Sequence, residues 1–501
     1  MKNPHEHNQV PIQELLNPRY SPELGFQSYE MLQGNTESRA VQMHAFLSDS
    51  IRNPELDYPR LDTNELQKGI NALHDILDVS QEQDSRVLRD AVWDSASYRM
   101  AEMYWLMSVA RLQDAARDPQ DPDIDVLASR TQALNEELYG TPEKEITQSV
   151  LSEIWAHIDS KTLHGTAEVI KDELEHGTQV VISYETIQIP ELKRSKAPRL
   201  ETIPPGFLGD LREQLYRDNA DIVSLVDGFW ETVILQRPEN QQAFTPEDMF
   251  ELFTKAHALR DPHNTSGVRV VMDPHATALS WETPLMAVKI AGRRNNITDK
   301  ETMLAKIFHE YVVHGGRAIE GSKTELPVLG SGLFTEAQPG ESSDYLTFEE
   351  GLATACELAV HSSEHEWDFG MLDKYLAISL AYEGRDFRQV YETLWRARAL
   401  MGMKEDGDID QAAILQAQKS AYLATLRVFR GTPTTLPRRT EDGEPRVLTF
   451  NKDLAYLKGK MLIIDFAKQY KDNPAMLQLA FKAKSDLLNS KQRSLTVQYA
   501  L

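Results

Sequence analysis

Cysteine is almost missing from this chain of 501 residues. The one residue, Cys356, excludes an intramolecular disulfide and any zinc site built on thiolates. A metal would have to sit on His and carboxylate ligands. Bases are also in short supply. Lys and Arg number 53 against 77 Asp and Glu, a net charge of −24, which argues against a nucleic-acid or anionic-membrane partner because a phosphate polyanion would be repelled. There is no uninterrupted apolar run of about 18 residues, the length needed to span a bilayer. The opening MKNPHEHNQVPIQ lacks the apolar stretch of a secretory signal. A cytoplasmic setting is the expectation. No segment repeats with a fixed period. What is present, 41% hydrophobic and 26% charged residues, is the composition of a folded globular chain.

Residues 1–40 are polar, rich in Pro and Asn, and lack periodicity, so a flexible tail is expected there. Residues 41–200 form a helical region, with apolar side chains at steps of three and four in Val87–Leu112 and Glu145–Ile170. The polar segment 118–125 and ELYGTPE at 137–143 separate helices. VVISYETIQI at 180–189 reads as a strand, and Pro198 to Pro205 as a boundary. In 201–501, the catalytic candidate with its C-terminal helical segment, Thr245 and Pro246 open a helix. Residues 268–274 and 278–292 read as two strands. Thr298 with Glu301 then makes a capping box for a helix that stops at Gly315-Gly316. A glycine-rich acidic loop (321–346), a helix over 347–365 and a β-like segment at 445–450 follow. The fold class is α+β, predominantly helical, with a small sheet over the helix that ends at Gly315.

That helix carries His309-Glu310-Tyr311-Val312-Val313-His314, which resembles the zinc-peptidase HExxH pattern with one residue added. Five steps at 3.6 residues per turn leave the two imidazoles roughly 140° apart. A π-type turn between them would restore one face. The alternative is an amphipathic helix with a buried polar pair. A catalytic zinc needs a third protein ligand, and Glu349 and Glu350 on the next helix are the candidates. Thr347 and Glu350 also have the spacing of a capping box.

Four segments occur together in this order: ELYGTPE at 137–143, HEYVVH at 309–314, the EEGLA stretch at 349–353, and RVFRG with TFNKDLAYLKG at 427–459. The combination resembles the microtubule-associated tyrosine carboxypeptidase family and its bacterial-type relatives with an xEGLA motif, over about residues 130–470. The resemblance implies a zincin-like HExxxH metallopeptidase holding one Zn2+ on His309, His314 and Glu350, with Glu310 as general base. Its substrate would be the C-terminus of a peptide or protein.

Around this core, Glu357 lies seven residues after Glu350, on nearly the same face, where it can accept a hydrogen bond from a ligand His. Arg317 follows His314 by three; it points to the cleft or serves as a helix C-terminal cation. Arg427, Arg430 and Lys452 concentrate positive charge in an acidic protein, as binding a substrate carboxylate requires. Tyr456 is the candidate donor to a tetrahedral oxyanion. The strand Pro284–Ala291 is expected to offer its edge to an extended peptide. His361 and His365 form an inverted HxxEH motif, weighed as the lesser site. Cys356 reads as a small core residue, and the Asp-Pro-His tripeptides at 261–263 and 273–275 as turns. A non-catalytic helical interaction protein with a vestigial metal site is the competing class.

Overall fold

The computed structural model describes residues 22–500 except residues 27, 33, 57, 82–85, 119–121, 275, 277–278, 293–296, 336–342, 362–368, 404–406, 440–442 and 472. Short 3-10 turns at Pro22–Gly25 and Ser28–Leu32 precede helices α1 (Thr36–Leu47), α2 (Thr63–Gln81), α3 (Arg86–Ala115), α4 (Ile124–Tyr139), α5 (Lys144–Asp159) and α6 (Thr166–His176). A hairpin of β1 (Thr178–Ile182) and β2 (Glu185–Ile189) leads to α7 (Pro205–Asp218), α8 (Ala220–Phe229) and α9 (Pro246–Arg260). Then come β3 (Arg269–Asp273), β4 (Ser280–Glu282) and β5 (Ala287–Ala291), α10 (Lys300–Ile307), a π-helical segment (Phe308–Gly315), α11 (Gly316–Ser322) and α12 (Val328–Ser331). The chain closes with α13 (Tyr345–His361), α14 (Phe369–Tyr382), α15 (Phe387–Met401), α16 (Gln411–Val428), α17 (Leu454–Tyr470), α18 (Pro474–Leu479) and α19 (Ser490–Ala500). The described residues are predominantly helical with two small sheets, and no described helix is long and apolar enough to cross a membrane.

Several expected boundaries move, each for a local reason. The strand expected over 180–189 is a hairpin, because Ser183 and Tyr184 both take positive φ (47° and 72°) and reverse the chain as a two-residue turn. The second expected strand, 278–292, divides into β4 and β5 around a turn in which Met286 has φ 45°. The resulting order is β3-β5-β4, with β5 parallel to β3 and antiparallel to β4. In the stretch Pro284–Ala291, Pro284 to Met286 lie in the turn, and β5 pairs with β3 along its length and with β4 from Ala287 to Lys289, so among the described residues β4 is the edge strand on that side. The cap of α10 is Asp299 rather than Thr298, its Oδ1 accepting from Thr302 N at 2.7 Å. Thr245 does cap α9, with the reciprocal bond from Thr245 N to Asp248 Oδ2 at 2.8 Å. The segment 445–450 forms one isolated bridge, Arg439 to Pro445, and no strand.

Hydrophobic burial ties the N-terminal helices to the rest. Phe46 at the end of α1 packs edge-on against Phe387 at 5.2 Å and Tyr391 at 4.8 Å, inside the same core as Phe308, Phe348 and Phe466. A second core joins Leu66, Ile70 and Trp105 to Leu329, Leu333 and Phe450. Leu24 and Leu32 are buried in that second core. These two leucines, inside the stretch expected as a tail, find apolar partners there.

The helices α13 and α17 cross at close range. A Cβ on Gly351 would fall 2.1 Å from the carbonyl oxygen of Gly459, and one on Gly459 would fall 2.3 Å from that of Thr347. Both backbones come this close only without side chains. Gly351→Ala is expected to lower stability by about 1–3 kcal/mol through overpacking. Gly209→Ala on α7, where nothing lies within 4 Å of the new methyl, should raise it by about 0.5–1 kcal/mol by helix propensity. Urea unfolding of the two variants checks this; equal effects would contradict the close crossing.

Candidate metallopeptidase site

Helix α10 runs without a break into the π-helical segment, which spans all six residues of HEYVVH. Widening the turn lets five residues complete roughly one revolution. His309 and His314 consequently face the same way, their ring centroids 5.0 Å apart. The N–H of Gly316 donates to the carbonyl of Tyr311, five residues back. Neighbours hold the widened stretch. The Tyr311 hydroxyl bonds His257 Nδ1 at 3.0 Å. The Trp281 ring of β4 lies 3.0 Å from where a Cβ of Gly315 would be.

His309, His314 and Glu350 each offer one ligand atom, and the three atoms lie within 4.8 Å of one another. Two nitrogens and a carboxylate oxygen, with room for a further ligand from the cleft, form a donor set suited to zinc. The second nitrogen of each imidazole is also engaged. His309 Nδ1 lies 2.7 Å from Glu357 Oε1, which also accepts from Lys306 Nζ at 2.6 Å. His314 Nδ1 lies 2.8 Å from Glu349 Oε1. These contacts leave Nε2 of both rings facing the triad. Burial works against a charge on His309, yet the carboxylates of Glu310, Glu357 and Glu350 outweigh it and push its pKa up to about 9. Burial likewise opposes a charge on Glu357, but His309 and Lys306 hold its carboxyl down at about 2.

Glu349 is clamped more tightly still. It accepts from Arg317 Nη1 at 3.0 Å and from Lys484 Nζ at 2.5 Å. Arg317 is fully buried and also donates to the Ala483 carbonyl at 2.6 Å. Despite burial, Lys484, Arg317 and His314 keep Glu349 well below the usual carboxylate range. Arg317 thus reaches the site through Glu349 rather than pointing into the cleft.

Glu350 is free of the cap its sequence spacing suggested. Asp344 caps α13 instead, accepting from Thr347 N at 2.9 Å and from Thr347 Oγ1 at 3.2 Å. Across the Gly351–Gly459 crossing, α17 places Tyr456 in the same cleft. The charge of Glu350 and burial raise the phenol's pKa well above its ordinary value, so it stays protonated. Arg427 is neutralised by Asp453 through bonds of 2.5 and 2.7 Å and reaches the Tyr456 hydroxyl at 3.5 Å.

One cleft gathers His309, Glu310, His314, Glu350, Arg427, Arg430, Lys452 and Tyr456. Glu310 Oε2 accepts from the Trp281 N–H at 2.9 Å, so β4 turns its outer edge toward the triad. Glu310 Oε1 lies 3.9 Å from His309 Nε2. The other candidates fall elsewhere. His361 is exposed at the end of α13, and residues 275 and 365 lie outside the described residues. Cys356 is buried, and burial pushes its thiol pKa far up. Asp261 accepts from the Thr265 and Ser266 N–H groups at 2.8 and 2.6 Å, the turn chemistry expected of it. Lys484, Trp281 and Arg39 were missed in the sequence: each reaches the site from a distant segment with no local motif around it. Glu349 was seen, but as a ligand candidate.

A family model described as microtubule-associated tyrosine carboxypeptidase matches residues 207–492, more than half of the chain. No curated protein and no solved structure matches. The three donors, the Glu349 clamp and the crossing of α13 with α17 all lie inside the matched residues.

His314→Ala is expected to abolish stoichiometric zinc, while Glu349→Gln should weaken zinc affinity about 10–100-fold by loosening the imidazole. Metal analysis and calorimetric titration of the purified variants read both. Full metal content in His314→Ala would contradict the triad.

Proposed function

The chain belongs to the microtubule-associated tyrosine carboxypeptidase family, and from that premise we propose that it is a zincin-like metallopeptidase acting on the C-terminus of a peptide or protein. The observation that supports this most is the polarity of the cleft. The donor triad and Glu310 lie against β4, and Arg430 and Lys452 line the same cavity. His309, His314 and Glu350 would hold one zinc, which when bound supplies a Lewis acid for the scissile carbonyl and acidifies a water.

The remaining steps belong to the chain's own groups. Glu310, fixed through Oε2 by the Trp281 N–H, takes the proton of the attacking water on Oε1 and delivers it to the leaving amine. The protonated Tyr456 donates to the oxyanion as the carbonyl becomes tetrahedral. The substrate backbone runs beside the outer edge of β4, replacing the β5 edge expected from the sequence. Its last carboxylate meets Arg430 and Lys452, with Arg427 behind them orienting Tyr456. The single buried cysteine suits a reducing, cytoplasmic setting.

Glu310→Gln should retain zinc and fold while kcat/KM falls about a thousandfold, the usual weight of a general base. Amidating the C-terminus of a cleaved peptide should reduce kcat/KM by about two orders of magnitude, since charge-assisted bonds to the carboxylate are lost. Equal cleavage of acid and amide would refute C-terminal action and leave a metallopeptidase.

A pH effect follows from Lys452. Burial lowers its pKa to about 8, with Glu350 and Asp453 opposing that shift. The cation is complete below that pH and lost as pH rises through it. KM for a free-acid peptide should therefore climb above about pH 8, a limb that Lys452→Gln removes; a persisting limb in that variant would contradict this.

A further inference from the structure

The cationic end of the cleft has a contributor from outside the family-matched residues. Leu32, Gly34 and Arg39 line the same cavity as Glu310 and Arg430, yet all three precede residue 207, where the match begins. The segment bearing them is fixed at both ends. Leu32 packs onto Gly431, the residue after Arg430: Gly431 has φ +75°, and a Cβ there would lie 2.9 Å from Leu32 Cδ1. At the far end of α1, Phe46 is buried against Phe387 and Tyr422, and Arg388 donates to the carbonyls of Phe46 and Ile51, both at 2.9 Å. Arg39 is thus held at a defined place beside Arg430, its guanidinium 5.7 Å from the centroid of the Tyr58 ring.

The charges there do not balance. Arg427 has Asp453. Arg430 forms no ion pair among the described residues, and its Nε is buried without a hydrogen-bond partner. Arg39 likewise forms no ion pair among the described residues; its contacts are a 3.4 Å bond to the Leu32 carbonyl and the Tyr58 ring. Two guanidiniums that make no direct ion pair among the described residues, with Arg430 sharing the field of the Arg427-bound Asp453, leave donors in a partly dehydrated cleft that suit an anion.

We propose that Arg39 is a specificity-determining residue of this cleft, joining Arg430 to grip the free carboxylate of the substrate's last residue while Leu32 walls off the space beyond it. The inference rests on the C-terminal reading above and deepens it: the N-terminal segment closes the cleft, so a chain that continues beyond the residue being released does not fit. The two planar forks can each make paired bonds to one carboxylate.

The test uses the full chain, zinc-loaded, with Glu310→Gln to stop turnover. The probe is a degenerate synthetic peptide library in free-acid and C-terminally amidated forms, with bound peptides quantified by mass spectrometry. The parent should retain free acids over amides. Arg39→Ala should weaken free-acid binding about 10–100-fold and leave amide binding unchanged, with zinc content and Tm intact. Arg39→Lys should restore part of the loss. In the active enzyme the same change should raise KM with kcat nearly constant, a split that a merely structural role would not produce. Undiminished acid preference in Arg39→Ala overturns the clamp and spares the C-terminal reading. Absence of preference in the parent overturns both. Should Arg39→Ala misfold, Arg39→Gln is judged by the same readout.

Discussion

Two imidazoles five residues apart reach one point only if the helix between them widens, and the site depends on that widening. The π-helical segment at Phe308–Gly315 turns His309 and His314 to one face. It also sets Glu310 beside them against β4. A regular α-helix would leave the two imidazoles roughly 140° apart and unable to meet at one point. Such a segment sacrifices regular hydrogen bonding, so its neighbours must hold it. Trp281 packs on Gly315, and Tyr311 is tethered to His257. The small sheet earns its place through the first contact.

Around the triad, charge is arranged in shells. Each imidazole leans on a carboxylate, and each carboxylate is held by a cation: Glu357 by Lys306, Glu349 by Arg317 and Lys484. Buried carboxylates persist as anions only with such partners. Positioning and electrostatics are therefore the same feature, because the groups that fix the ring orientation also keep it basic enough to bind a metal. The glycine crossing of α13 and α17 extends the arrangement, bringing Glu350 and Tyr456 into one cleft from helices far apart in the sequence.

What was legible in the sequence was local. The HEYVVH spacing demanded a π turn, and the EEGLA segment was read as part of a helix, as it is. Residue types with strong local signatures, such as Thr245 with Pro246, also sat where expected. Illegible features were those decided by distant contacts or by silent turns. Ser183-Tyr184 and Met286 adopt positive φ without a glycine to signal it, which hid the hairpin and moved the free edge from β5 to β4. Asp344 displaced Thr347 as cap because a carboxylate three residues upstream reached the same N–H. Lys484 lies 135 residues from Glu349, and no periodicity links them. The turns near Leu24 and Leu32 looked like a tail because two leucines among polar residues do not reveal a core that other segments build.

The central claim is that one divalent ion is held by a π-widened HExxxH segment and Glu350. Diffraction from zinc-loaded crystals at the zinc absorption edge tests it most directly. The account predicts a single anomalous peak within about 2.1 Å of Nε2 of both His309 and His314, with Glu350 completing the protein ligands and the π-helical bonding intact. A peak at His361, or both imidazoles on the ion from a regular α-helix, would contradict it.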